Sequence, residues 1–377
     1  MAKPRRPVAC ATDEAVIRGS LDTTRHRDPA LVAARLTQWL AARHPGGRVE
    51  TIEAPLASGA SSELFFVSLS GVELEGRPAA EAVLRMAPAY AVYPHVDLAA
   101  QFRCMDLVAR RSPAPVPRVY FCESDPAVLG APFLLMERRH GRGAPDWPSY
   151  VRQGWLHDLA AAEQAVLWRN AVEVIAAVHR TGLAPQDVAE LGLPFGGATL
   201  LDQSLRYWRR YLELDRQGGR YPELEESVAW LERQRPNADF APTLVWGDAS
   251  LRNMLFDGLQ PCALMDFEFA HVGIHAFDIA FFALMDYVMA EGFAGGAPRL
   301  PGFPGVQETL DLYERASGRV VPHREYFVRM ALTYMSLATT RVFQRLAREK
   351  RVPPDLVATN PPLRILGEVL RSGKLPP

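Results

Sequence analysis

Apolar positions in the first third of the chain follow two rhythms. Val32, Leu36, Trp39 and Leu40 recur at helical spacing behind Asp28-Pro29, an N-cap followed by proline at the first helical position, and the pattern stops at "HPGG". Strand-like runs follow: "RVETIEA", "LFFVSLSG" and "AEAVLRMAP", separated by glycine-containing turns. "LAAQFRCMDLVARR" (98–111) returns to helical spacing and ends before Pro113, and "VPRVYFCE" and "APFLLMER" predict two more strands. The first 137 residues therefore predict a five-stranded antiparallel sheet carrying one helix, after a loose arm over 1–27.

From about residue 160 the rhythm is helical. "AAAEQAVLWRNAVEVIAAVHRTG", "LDQSLRYWRRYLELDRQGG" and "YPELEESVAWLERQ" are amphipathic. "TLVWGDASLRNMLF" (243–256) then sets a short polar loop between apolar flanks, and "CALMDFEFA" (262–270) reads as a second strand. The remainder is helical apart from the Gly/Pro-rich 290–305. A β-rich lobe over 28–137 and a larger α-rich lobe over 138–377 predict an α+β chain with a cleft between the lobes.

Composition narrows the class. Of 377 residues, 48% are hydrophobic and 23% charged, values of a globular chain. A net charge of −1 supplies no global field for nucleic acid or an anionic membrane. The four cysteines lack C-x-x-C spacing, which argues against a disulfide framework and fits a reducing cytoplasm. The longest apolar stretch, "FDIAFFALMDYVMA", is cut by Asp278 and Asp286 and predicts a buried helix, not a membrane span. The basic N-terminal stretch is followed by an apolar run too short for a signal sequence.

The chemistry concentrates in the polar loop and the strand after it. Asp248 and Asn253 share one short loop, and a hairpin would set the end of the next strand, with Asp266 and Glu268, beside it. Three carboxylates and an amide together suit a hard cation such as Mg²⁺, and like charges this close need a metal or protons. The plainer alternative is two acidic turn caps and a helix N-cap. His271 and His275, four apart, form an alternative H-x-x-x-H zinc pair, weakened by Gly273 between them.

G-D-x-x-x-x-N followed by apolar residues, then an apolar run into D-F-E, resembles the aminoglycoside phosphotransferase and choline kinase superfamily. "GIHAFDIAFF" (273–282) is similar to that family's G-x-x-x-x-D-[IL]-A segment. Upstream, "SGASSELFFV" resembles its phosphate-covering loop, "AVLRMAP" its strand with a phosphate-contacting base, and "APFLLMERRHG" its adenine hinge. Ordered similarities run from about residue 50 to 285. The resemblance implies a bilobal protein-kinase-like fold, ATP or GTP with Mg²⁺, and transfer of the γ-phosphate to a small hydroxylated acceptor.

It further implies roles. Asp248 would take the acceptor's proton. Asn253, Asp266 and Glu268 would hold metal, Glu268 through the second ion or its waters. Asp278 would brace the Asp248 loop. Ser58, Gly59, Ser61 and Ser62 would approach the phosphates, although by themselves they also fit an ordinary hairpin turn. Arg85 stands where the family usually has Lys, Gln101 where its partner is usually Glu, and Trp246 where His is common. Glu137 and Arg139 would offer their backbone to adenine, with Met136 behind it.

A non-catalytic nucleotide-binding module is the competing reading. The acceptor is open between a polycation, a macrolide-like compound, an amino alcohol, a sugar and a hydroxyacyl thioester. No nucleic acid or membrane partner is expected, and the chain is expected to be monomeric or weakly dimeric.

Overall fold

Asp28 caps the first helix, α1 (Pro29–Ala41): its carboxylate accepts the Ala30 N–H at 3.0 Å, and Pro29 occupies the first turn. This is seen in a computed structural model, which describes residues 27–55, 63–74, 76–87, 92–145, 148–216 and 219–377. The four residues of the apolar stripe are the buried face of α1. They pack on a sheet of five strands, β1 (Arg48–Glu53), β2 (Glu63–Ser70), β3 (Glu81–Met86), β4 (Val119–Glu123) and β5 (Phe133–Glu137). The order is β1-β2-β3-β5-β4 and every pairing is antiparallel.

Strand alternation sorts side chains to two cores. Phe133 and Leu135 join Trp39 and Phe65 on the α1 side. Leu134, between them, joins Cys104, Met105 and Val108 of α2 (Leu98–Arg111) on the other. Asp97 caps α2 through the Ala99 and Ala100 N–H groups at 2.9 and 3.0 Å.

The carboxy-terminal part is helical: α3 (Ala161–His179), α4 (Leu200–Asp215), α5 (Pro222–Arg233), α6 (His275–Tyr287), α7 (Val306–Ser317), α8 (Arg324–Arg348) and α9 (Pro361–Ser372). Helix α6 is buried from Ala276 through Asp286, so the apolar run cut by two aspartates is a core helix. Among the described residues no helix is long and apolar enough to cross a membrane.

Between α5 and α6 lie short strands: β6 (Thr243–Val245), β7 (Met254–Asp257), β8 (Gln260–Leu264) and β9 (His271–Gly273). β7 pairs with β8, and β6 with β9. The strand expected over 262–270 is thus corrected: β8 ends at Leu264. Asp266 adopts a left-handed backbone, φ 57°, which an extended strand cannot accommodate.

Candidate active site

The polar loop begins where β6 ends. Leu244, Val245 and Trp246 are buried, and the chain turns at Gly247 with φ +87°. A Cβ at Gly247 would stand 2.3 Å from the Phe269 carbonyl oxygen, so only glycine lets the two segments approach. The turn is held from below by Asp278, in the first turn of α6 and closed to solvent. Its Oδ2 accepts the Trp246 N–H at 2.7 Å and its Oδ1 the Gly247 N–H at 2.8 Å. His179 Nε2 pairs with Asp278 Oδ2 at 2.9 Å, while Nδ1 pairs with the Tyr313 hydroxyl at 2.7 Å. The expected brace is therefore made through backbone amides, with a buried His-Tyr pair behind it. His179 was missed as a site residue. Its signal was a histidine in the last turn of a long amphipathic helix.

Asp248 follows, half-buried. A single 3₁₀ turn, Leu251–Asn253, brings Asn253 back onto it, and Asn253 Nδ2 donates to the Asp248 carbonyl at 2.9 Å. That bond leaves the amide oxygen as the group Asn253 can offer a cation. The loop is then stitched to the Asp266 segment at two points. The Met265 N–H donates to the Asn253 carbonyl at 2.8 Å, and Trp246 Nε1 donates to the Met265 carbonyl at 2.8 Å. The indole also lies 5.9 Å from the Phe267 ring. Trp246 is a strut between Asp248 and Asp266.

Arg85 reaches this unit from β3. Its Nη1 donates to Asp266 Oδ1 at 3.0 Å and its Nη2 to Glu268 Oε2. Burial works against the guanidinium charge, but Asp266 and then Glu268 outweigh it and hold Arg85 above its ordinary value. One expectation is corrected here. Arg85 pairs with the two acids and not with Gln101, which lies buried on α2. A buried cation requires counter-charge, which an amide cannot supply. Glu268 is only 7% open and bonded to Arg85, whereas Asp266 keeps 30% of its side chain open.

Among the described residues no group of three or more His, Cys, Asp or Glu gathers as a metal cage. The donors nonetheless fit Mg²⁺: it binds through one or two protein oxygens plus substrate phosphates, and Asn253 with Asp266 provide such a set.

The hinge residues follow β5. The Glu137 N–H donates to the Arg118 carbonyl at 2.8 Å and the Arg138 N–H to Glu81 at 3.2 Å. The sheet thus occupies the Glu137 amide. Met136 is half-buried against the larger core, and Arg139 lies beyond the strand. Ser58, Gly59, Ser61 and Ser62 lie outside the described residues. The alternative zinc pair does not share a helix: His271 is on β9 and His275 opens α6. Burial, the largest influence on each, depresses both imidazoles to about 4.

The model of the phosphotransferase enzyme family matches residues 53–313. Human acyl-CoA dehydrogenase family member 11 is 25% identical over 232 residues, covering 59% of this chain but 28% of that protein. The chain thus spans under a third of the length of that curated relative. Among solved structures, a candidate aminoglycoside phosphotransferase of Ralstonia eutropha is 20% identical, with TM-score 0.61 over 90% of this chain and 94% of that one. An aminoglycoside phosphotransferase mutant in ternary complex with AMP-PNP and hygromycin B is 16% identical, with TM-score 0.55 over 90% and 98%. The fold is α+β and protein-kinase-like, with the sheet in its amino-terminal part and the helices in its carboxy-terminal part.

Proposed function

Because this chain belongs to the phosphotransferase enzyme family, we propose that it moves the γ-phosphate of ATP or GTP to a hydroxyl of a small molecule, with Mg²⁺. The observation that carries this reading is the stitching of Asp248, Asn253 and Asp266 into one hydrogen-bonded unit through Trp246 and Met265. Residues 28–137 serve the nucleotide in this reading, and residues 138–377 the transfer and the acceptor.

Phosphoryl transfer requires alignment and charge neutralisation more than covalent help. Asp248 accepts the acceptor's hydroxyl proton on a carboxylate oxygen as the new O–P bond forms and the bond to the β-phosphate oxygen breaks. Asn253, through its amide oxygen, and Asp266 would hold the cation, which would screen the phosphate charge. Arg85 can exchange one carboxylate oxygen for a phosphate oxygen, since a guanidinium grips two oxygens at once. The intact acid-amide-acid set favours transfer over a non-catalytic module.

For the acceptor, a hydroxyacyl thioester is favoured over a polycation by one observation: the curated relative is an acyl-CoA dehydrogenase family member, within which this chain corresponds to a minor part. The test is thermal stabilisation by ATP or GTP with Mg²⁺, followed by transfer in the Asp248→Ala protein. Stabilisation should persist and transfer should fall by about 10²–10⁴. Normal turnover in that variant would remove Asp248 as base, and the absence of stabilisation by any nucleotide would overturn the whole reading.

A further inference from the structure

We propose that Arg85 is a latch on the cation site. Its guanidinium holds Asp266 in the chain alone and gives it up only when phosphate oxygens draw it off, so nucleotide and divalent cation bind as a coupled pair. This inference rests on the phosphotransfer reading and adds an order of events to it.

Strand register sets where the latch starts. Arg85 on β3 stands directly opposite Leu134 on β5, so both side chains leave the same face of the sheet. Leu134 meets α2 there, and Gln101, Cys104, Met105 and Val108 recur at helical spacing on the buried face of that helix. The buried residues of α2 include no carboxylate. A guanidinium only 5% open to solvent cannot remain there without counter-charge. It crosses instead to the segment after β8, where Nη1 donates to Asp266 Oδ1 at 3.0 Å and Nη2 to Glu268 Oε2. The same face of α2 follows it, with Cys104 Sγ 3.6 Å from the Ala270 carbonyl oxygen.

The two ends of the fork are not equivalent. Glu268 is nearly closed to solvent, so withdrawing the guanidinium from it would strand an enclosed charge. Asp266 is the more open of the two, and a carboxylate released there can be met by water or by a cation. Glu268 is therefore the pivot and Asp266 the partner that is exchanged. The present arrangement is also short of the guanidinium's full set of bonds, since Arg85 Nε has no partner among the described residues.

Charge decides when the exchange happens. A divalent cation at Asp266 would face the guanidinium across the same carboxylate, and like charges that close oppose each other. Mg²⁺ also gives up its waters reluctantly, so it competes poorly for a carboxylate already held. The phosphates of a nucleotide supply the missing negative charge. They take Nη1, and the exchange frees Asp266 for the cation. A coupling of this kind is reciprocal: whatever factor the nucleotide adds to cation affinity, the cation adds to nucleotide affinity.

The test uses the full chain and reads binding, not turnover. Mn²⁺ stands in for Mg²⁺, its free fraction is counted by electron paramagnetic resonance without nucleotide, and AMP-PNP binding is measured by calorimetry. Arg85→Gln should bind Mn²⁺ alone about tenfold more tightly than the unaltered chain and bind Mn²⁺-AMP-PNP about tenfold more weakly. Arg85→Lys keeps the charge without the fork. Its ammonium should stay with the enclosed Glu268, so Mn²⁺ alone should bind about threefold more tightly. Gln101→Glu offers the guanidinium a carboxylate on its own face and should raise affinity for Mn²⁺ alone about threefold, with AMP-PNP binding retained. No gain in Arg85→Lys overturns the latch whatever Arg85→Gln does, because it marks a general field and not a bond. No gain in Gln101→Glu overturns the assignment of the missing counter-charge to α2. AMP-PNP binding to the unaltered chain with no gain in any variant overturns this inference and leaves the phosphotransfer reading standing. Absence of AMP-PNP binding to the unaltered chain, with or without Mn²⁺, overturns the reading beneath it.

Discussion

The loop after β6 and the inner face of α4 approach the same aromatic cluster with opposite polar arrangements. In the loop, the Trp246 and Gly247 amides, the indole N–H and the Asn253 amide all have partners between 2.7 and 2.9 Å. On α4, the Trp208 indole N–H, the Tyr211 phenol and the Asp215 carboxyl are buried without partners among the described residues. In the first region the groups that fix the turn are all paired, and Ser250 Oγ is a buried exception among the described residues; on α4 the polar groups of a whole stripe lack partners. The difference separates polar groups that fix a turn from polar groups buried without compensation.

Removing the loop's anchor should break that comparison most severely. Asp278→Ala leaves two buried amides and His179 without their acceptor. We expect a loss of about 3–5 kcal/mol in chemical denaturation and a collapse of transfer together. A stable protein with intact turnover would refute the anchor. Gly247→Ala comes next. The left-handed backbone alone costs a few kcal/mol at most, roughly 1–3 for such residues, and the added Cβ meets the Phe269 carbonyl. Transfer should fall with it, measurable as kcat at saturating nucleotide.

Acid gives a graded third test. His271 is depressed to about 4 chiefly by burial, so it is neutral in the fold. Its contribution is complete above about 6.5 and is lost as pH falls through about 4, a decline of roughly 3 kcal/mol. His275, also depressed to about 4, adds in the same direction. A melting temperature that stays flat from pH 7 to 4 would contradict this. Trp246→Phe is the mildest change. It keeps the packing on Phe267 and removes one N–H from the Met265 carbonyl, for about 1 kcal/mol. Its sharper readout is a raised Mg²⁺ requirement, because Asp266 is the next residue.

What the sequence disclosed follows the range of the interactions. Asp28-Pro29 announced α1 because a cap and a first-turn proline act over two residues. Asp248 and Asn253 were legible because five positions of chain hold them together. Asp278 was recognised through a local motif. Its partner His179 was not, because 99 residues separate them and no periodicity links them. Arg85 was found, but its partners were misassigned to Gln101, since the pairing with Glu268 spans 183 residues. The strand expected through residue 270 failed at Asp266, whose left-handed backbone is imposed by its surroundings and not by residue type. The orphan groups on α4 read in sequence as ordinary amphipathic helix, because the absence of a partner is a tertiary property.

The Arg85–Asp266 bond joins positions 181 apart, whereas the indole of Trp246 reaches only 19 residues along the chain. That contrast implies an order of assembly. The loop and its strut can form as soon as the helical part collapses around them. The arginine can arrive only after the sheet has formed and come to rest on that part, since contacts of such separation require the longest conformational search. What closes last is expected to open first. Under mild denaturant, activity should therefore disappear while most of the helical signal remains, so the working life of this protein is set by the junction of its halves and not by the durability of either.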